Sequence, residues 1–145
     1  MDEPLAALAD RLLQRIEPPA EREETLLDAE AMARHARETL ARYRRQDPRL
    51  DARVEVREDV SGILVSHGNF LISAEVRLPV RRLEAVLAHE IGTHALTWHN
   101  GGLQPFRELQ EGMAGSELLQ ERLAVLAEYL VGGWTRRACG SWPAG

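Results

Sequence analysis

The segment VRRLEAVLAHEIGTHALTW, residues 80–98, limits the fold more than any other part of the chain. Leu83, Val86, Leu87, Ile91 and Ala95 recur at the spacing of one helical face. His89, Glu90 and His94 lie on the same segment as a His-Glu-x-x-x-His string. Histidines four apart on an ideal helix stand about 40° apart around its axis, whereas histidines five apart stand about 140° apart. Both rings can meet one ion only where the helix is locally widened or opened. Gly92 lies between them and lowers the cost of such a distortion. A single π-bulge supplies the missing residue, and such bulges gather at functional sites. The sequence therefore predicts a distorted helix that presents two imidazoles to a zinc ion, with Glu90 placed to take a proton from a zinc-activated water. The competing reading is a buried amphipathic helix whose histidines merely border the core.

Composition narrows the partners. The chain has 145 residues, enough for one domain, with 44% hydrophobic and 28% charged residues. Its 18 basic residues are all Arg and its net charge is −5, which offers no broad polycation to nucleic acid. One cysteine, Cys139, excludes an internal disulfide and a cysteine-based zinc cluster and fits a reducing compartment. No apolar stretch is long enough for a membrane span. The start, MDEPLAALADRLL, lacks a basic n-region, so the expectation is a cytoplasmic protein without a signal peptide.

Along the chain, residues 4–16 pattern as a helix stopped by Pro18 and Pro19, followed by the acidic linker AEREE. A second helix is expected from about Thr25 to Gln46, with Ala29, Ala33, Ala36, Leu40 and Tyr43 on its inner face and His35 on its surface. RVEVRED alternates as a strand, and Ser61-Gly62 marks a turn. ILVS and NFLIS flank His67-Gly68 as a hairpin, with His67 read as a turn residue that could face a substrate. Pro79 suits the first turn of the histidine helix, and NGG at 100–102 is expected to end it. A loop through Gln104-Pro105 and Gly112 to Gly115 leads to a last helix, about Glu117 to Val131, closed by Gly132-Gly133.

A catalytic zinc takes three protein ligands and leaves one position open. The third ligand is open on spacing alone. Glu108, Glu111, Glu117, Glu121, Glu128 and His99 are all candidates, and Glu121 and Glu128 share a helix face because they are seven apart.

HEIGTHALTWHNGGLQP followed by LLQERLAVLAEYLVGG resembles a family of bacterial proteins named for a Gln-Glu-Gly-Leu-Ala motif, some labelled modulators of flavohaemoglobin expression. That family also includes the microtubule-associated tyrosine carboxypeptidases of animals. The resemblance is strongest from Arg53 onward. It implies an α+β, zincin-like fold with N-terminal helices, a small antiparallel hairpin or sheet, a metal-binding helix and a following ligand helix. It also implies that His89 and His94 are zinc ligands, that Glu90 is the general base and that Glu121, in Gln120-Glu121-Arg122-Leu123-Ala124, is the third ligand. Asn100, Gln104 and Pro105 match the loop between. Gln110-Glu111-Gly112-Met113-Ala114 is nearer to the name motif in letters, but the residues after Glu121 continue the family pattern and its distance from Gln104-Pro105 fits better. Arg122 stands where the family has glycine, and an arginine there would displace the ligand helix or block the cleft if the backbone packs closely.

The function implied by the resemblance is a zinc metallopeptidase of carboxypeptidase type, acting on a peptide or protein C-terminus. The alternative is a catalytically inactive zinc-binding relative serving as a regulatory or interaction module. Family members are longer at both ends, so residues 1–145 are expected to form a single, partial version of the domain with its core at about 25–133. A free substrate carboxylate calls for a cation, and Arg77, Arg81, Arg82, Arg107 and Arg122 are the candidates near the site in sequence.

Overall fold

The computed structural model describes residues 24–132. The expected helix at 4–16, its proline break, most of the acidic linker and the tail from Gly133 lie outside the described residues. The architecture is α+β. A short strand β1 (Leu26–Asp28) leads into helix α1 (Ala29–Gln46). Strands β2 (Val54–Arg57), β3 (Ile63–Ser66), β4 (Asn69–Ser73) and β5 (Arg77–Pro79) follow. A long central helix then runs as a 3₁₀ turn (Val80–Arg82), α2 (Leu83–His89), a π-helical turn (Glu90–Ala95) and α3 (Leu96–Gly102). Two further helices, α4 (Glu108–Glu111) and α5 (Ser116–Leu130), complete the described fold. Among the described residues, no helix is long and apolar enough to cross a membrane.

Helix α1 starts later than its apolar pattern suggests. Asp28 caps it, its Oδ1 accepting from the Ala31 amide at 2.7 Å, which satisfies one of the donors a helix start leaves unpaired. Residues 26–28 instead pair antiparallel with β5, Leu27 opposite Leu78. Strand pairing with a partner about fifty residues away is a tertiary choice that local periodicity cannot report. The other sheet has the order β2-β4-β3, with β2 parallel and β3 antiparallel to β4. Central β4 is flanked on both edges, and Phe70, Leu71, Ile72 and Ser73 are all buried, as expected of a strand covered on both faces.

The expected β3–β4 hairpin forms with a two-residue turn, Ser66 opposite Asn69. His67 at φ 48° and Gly68 at φ 77° are both left-handed, the combination a tight hairpin turn requires. Glycine is needed at 68 for a second reason: a Cβ there would stand 2.5 Å from Cδ1 of Trp98.

The core is one layer of α1 against the three-stranded sheet and the central helix. Ala29, Met32, Ala33, Ala36 and Leu40 of α1 meet Phe70 and Ile72 of β4 and Leu83, Leu87 and Ile91 of the central helix. The alanines keep α1 close to its neighbours, while each fully buried Met32, Phe70 or Ile91 side chain contributes about 1.5–3 kcal/mol by leaving water. This layer fixes the rotation of the central helix. Its apolar face is held inward, so His89, Glu90 and His94 emerge along the boundary with the cleft.

Asn100-Gly101-Gly102 end the central helix as expected. They form its last turn, and Leu103 caps it. Gly101 serves packing: a Cβ on it would lie 2.2 Å from the Leu109 carbonyl oxygen, so the backbone of α4 rests directly on it. The stretch containing α4 reads as loop in the sequence because four helical residues carry too little periodicity to be seen.

Candidate metal centre and cleft

The widened helix brings the histidines together. The Leu96 amide donates to the Ile91 carbonyl, five residues back, and the Thr93 hydroxyl donates to the Ala88 carbonyl at 3.3 Å, also five back. One extra residue is thus taken up within a turn. His89 and His94 end with ring centroids 5.0 Å apart and planes tilted by 55°. Gly92 is not there for lack of room, since an added Cβ would sit at ordinary contact distance, 3.5 Å from the Tyr43 hydroxyl.

Helix α5 packs across α2 and the π turn and brings in Glu121. Its two carboxylate oxygens divide between the imidazoles: Oε1 lies 3.6 Å from His89 Nε2 and Oε2 3.7 Å from His94 Nε2. These separations are too long for hydrogen bonds. They fit a shared ion, because donors bonded to one tetrahedral ion at about 2.0–2.2 Å stand roughly 3.3–3.6 Å from each other. Donor atoms of His89, His94 and Glu121 all lie within 4.8 Å of one another. Two imidazole nitrogens with one carboxylate oxygen are also a donor set that suits zinc.

The outer faces of both rings are occupied. His89 Nδ1 is 2.8 Å from Glu128 Oε1, and Glu128 Oε2 accepts from Arg82 Nη2 at 3.0 Å. His94 Nδ1 is 2.6 Å from Gln120 Oε1. Sequence reasoning did not single out Gln120. It placed Glu128 among possible ligands, since Glu128 shares a helix face with Glu121 and no pattern tells which side of an imidazole each will meet.

The other candidates fall elsewhere. Glu111 pairs with Arg107 at 2.7 Å. Glu108, Glu111 and Glu117 line the cleft but do not join the three-residue group. His99 turns away and bonds Asp47 Oδ2 at 3.0 Å. With the Arg49 side chain first and His99 second, these hydrogen bonds hold the Asp47 carboxyl well below the usual carboxylate range. His35 lies on the surface beside Glu38. Arg122 is exposed and lies outside the cleft lining, and Glu121 keeps its place beside the histidines.

The cleft over the cluster has a volume of about 670 Å³ and is walled by β3, the His67 turn, Trp98 and the start of α5. His67 stands edge-on to Trp98, with centroids 5.4 Å apart, and its Nδ1 is 3.1 Å from the Ser66 hydroxyl. Among the described residues no arginine lines this cleft. Arg81 pairs with Glu24, Arg82 with Glu128 and Arg107 with Glu111, and Arg77 bonds the Val76 carbonyl.

Glu90 lies in the cleft beside His89. Burial pushes its carboxyl up to about 7; the charges of Glu121 and Glu128 push the same way, and His89 opposes them. A carboxyl with that value can both hold and release a proton near neutrality.

Fold and site together define an α+β protein with a His-His-Glu group, able to hold a metal ion, at the base of an open cleft. The chain belongs to the microtubule-associated tyrosine carboxypeptidase family, whose profile matches residues 2–138. At the level of that family the activity is a carboxypeptidase's, which implies a peptide or protein substrate. No curated protein and no solved structure matches the chain.

Proposed function

We propose that this protein is a zinc metallopeptidase of carboxypeptidase type with a zincin-like catalytic arrangement. The observation that carries the proposal is the division of one carboxylate, Glu121, between the Nε2 atoms of His89 and His94 at 3.6 and 3.7 Å. A zinc ion bound there supplies a Lewis acid that activates water and polarises a peptide carbonyl. His89, His94 and Glu121 are the residues that would hold it.

Glu90 is the general base in this reading. Its carboxylate accepts a proton from the attacking water and returns it to the leaving amine, the two transfers that peptide hydrolysis requires. Burial favours the protonated carboxyl, which suits the second transfer. The cleft has room for a few residues of extended peptide. Strand β3, which pairs only with β4 among the described residues, offers it a backbone edge. The exposed position of Arg122 favours an active enzyme over an inactive binding module, since that side chain neither fills the cleft nor displaces α5.

The test combines metal content with hydrolysis. Protein purified without added metal should carry close to one zinc per chain and shorten peptides from the C-terminus. Glu90→Gln should keep the zinc and lose the cleavage. A zinc-free protein that also fails to take up zinc on addition would overturn the reading.

A further inference from the structure

Helix α5 supplies more than Glu121. Three of its residues meet the histidine pair: Gln120 at His94 Nδ1, Glu121 at both Nε2 atoms and Glu128 at His89 Nδ1. Gln120 and Glu121 are adjacent, and Glu128 follows Glu121 by seven residues, close to two turns, so all three project from one side of the helix. The central helix repeats this interval. Arg82 precedes His89 by seven residues, and the Glu128 carboxylate spans the two, Oε2 to Arg82 at 3.0 Å and Oε1 to His89 at 2.8 Å.

A neutral imidazole has one N–H and one lone pair. An ionised carboxylate only accepts, so a ring nitrogen 2.8 Å from it carries the hydrogen. The amide of Gln120 likewise presents its oxygen to His94. A neutral ring in this setting carries its hydrogen on Nδ1 and leaves the Nε2 lone pair facing Glu121. Such outer partners also hold the angle of a ligand ring.

We propose that Glu128 and Gln120 are positioning residues that select the Nδ1–H tautomer of His89 and His94 and aim both Nε2 lone pairs at one point, with Arg82 holding Glu128 in place. The proposal rests on reading His89, His94 and Glu121 as the metal ligands, but the tautomers themselves belong to the metal-free protein. The two partners differ in charge for a physical reason. The charge of Glu128 is balanced by Arg82. A second carboxylate at 120 would place another negative charge next to Glu121, whereas the Gln120 amide accepts the same hydrogen bond without adding charge.

The experiment uses the full chain. Imidazole nitrogen shifts of the metal-free protein, recorded by NMR in mildly alkaline buffer, distinguish Nδ1–H from Nε2–H. Both rings should be Nδ1–H in the unsubstituted protein; His89 should lose that preference in Glu128→Ala and His94 in Gln120→Ala. Zinc affinity, measured by competition with a chromophoric chelator, should fall roughly 10–100-fold in each variant, and the visible spectrum of the cobalt-loaded protein should change. Glu128→Gln keeps an acceptor oxygen, so it should recover most of the affinity and guards against simple misfolding. An Nε2–H tautomer at either ring in the unsubstituted protein overturns the proposal, as do alanine variants that bind zinc as tightly with unchanged spectra. Nδ1–H tautomers in a protein that takes up no zinc leave the positioning role standing and overturn the metallopeptidase reading alone.

Discussion

The imidazole rings of His89 and His94 lie with centroids 5.0 Å apart although they stand five positions apart in a helix. The π turn makes that proximity possible, and Glu121 of a different helix meets both rings. Stoichiometric metal binding should therefore depend on these three ligands and be indifferent to Glu111. His94→Ala and Glu121→Ala should abolish stoichiometric zinc. Glu111→Ala should retain it, because Glu111 is engaged with Arg107. Elemental analysis of dialysed protein reads the difference.

Glu90 sets a pH dependence in the metal-free protein. Its carboxyl moves from the ordinary 4.5 to about 7, chiefly through burial. Between these values the unfolded chain has released the proton and the folded chain still holds it. Folding then binds a proton, so this contribution to stability is fully present below about pH 4.5 and is lost as the pH rises through about 7. The total change is on the order of 3 kcal/mol. Glu90→Gln should remove this dependence and be the more stable protein at neutral pH. Urea unfolding of both proteins after chelation, compared on either side of the window, provides the measure; parallel pH profiles would refute the assignment.

In the zinc-loaded enzyme the same substitution should act on chemistry. Removing a general base costs about 10²–10⁴-fold in rate. Peptide turnover by Glu90→Gln should drop by that order at unchanged zinc content.

Behind the site, Ile91 is fully buried within the π turn, between the two histidines in sequence and packed into the core. Ile91→Ala should cost about 2–5 kcal/mol through lost burial and the cavity left behind. It should weaken zinc binding too, since the same turn carries both rings. Calorimetric unfolding and metal titration of one preparation test the coupling.

Gly101→Ala probes the seat of α4. The added Cβ would meet backbone atoms of Leu109 at 2.2 Å and of Gln110 at 2.6 Å, which cannot move as a flexible side chain would. A loss of about 1–3 kcal/mol is expected from the forced backbone shift. Gly92→Ala, which adds a methyl group at ordinary contact distance, should cost less. Equal unfolding midpoints for the two variants would contradict this account.

Much of the molecule is written locally. The inner face of α1, the left-handed His67-Gly68 turn and the apolar stripe of the central helix follow from residue spacing and turn chemistry, which act over a few residues. The odd interval between His89 and His94 also declares itself locally, because no regular helix can bring both rings to one point. What lies across from these elements was decided only by tertiary packing. Leu26–Asp28 continue the apolar pattern of α1, yet they pair with β5, and β2 runs parallel to β4 through a connection that periodicity does not encode. Glu121 and Glu128 occupy the same helix face seven residues apart, so spacing treats them alike. The rotation and axial position of α5 against the central helix set one carboxylate before the Nε2 atoms and the other behind Nδ1 of His89. Periodicity reports which face of a helix turns inward; only packing between helices determines which atom of a ring each side chain on that face will meet.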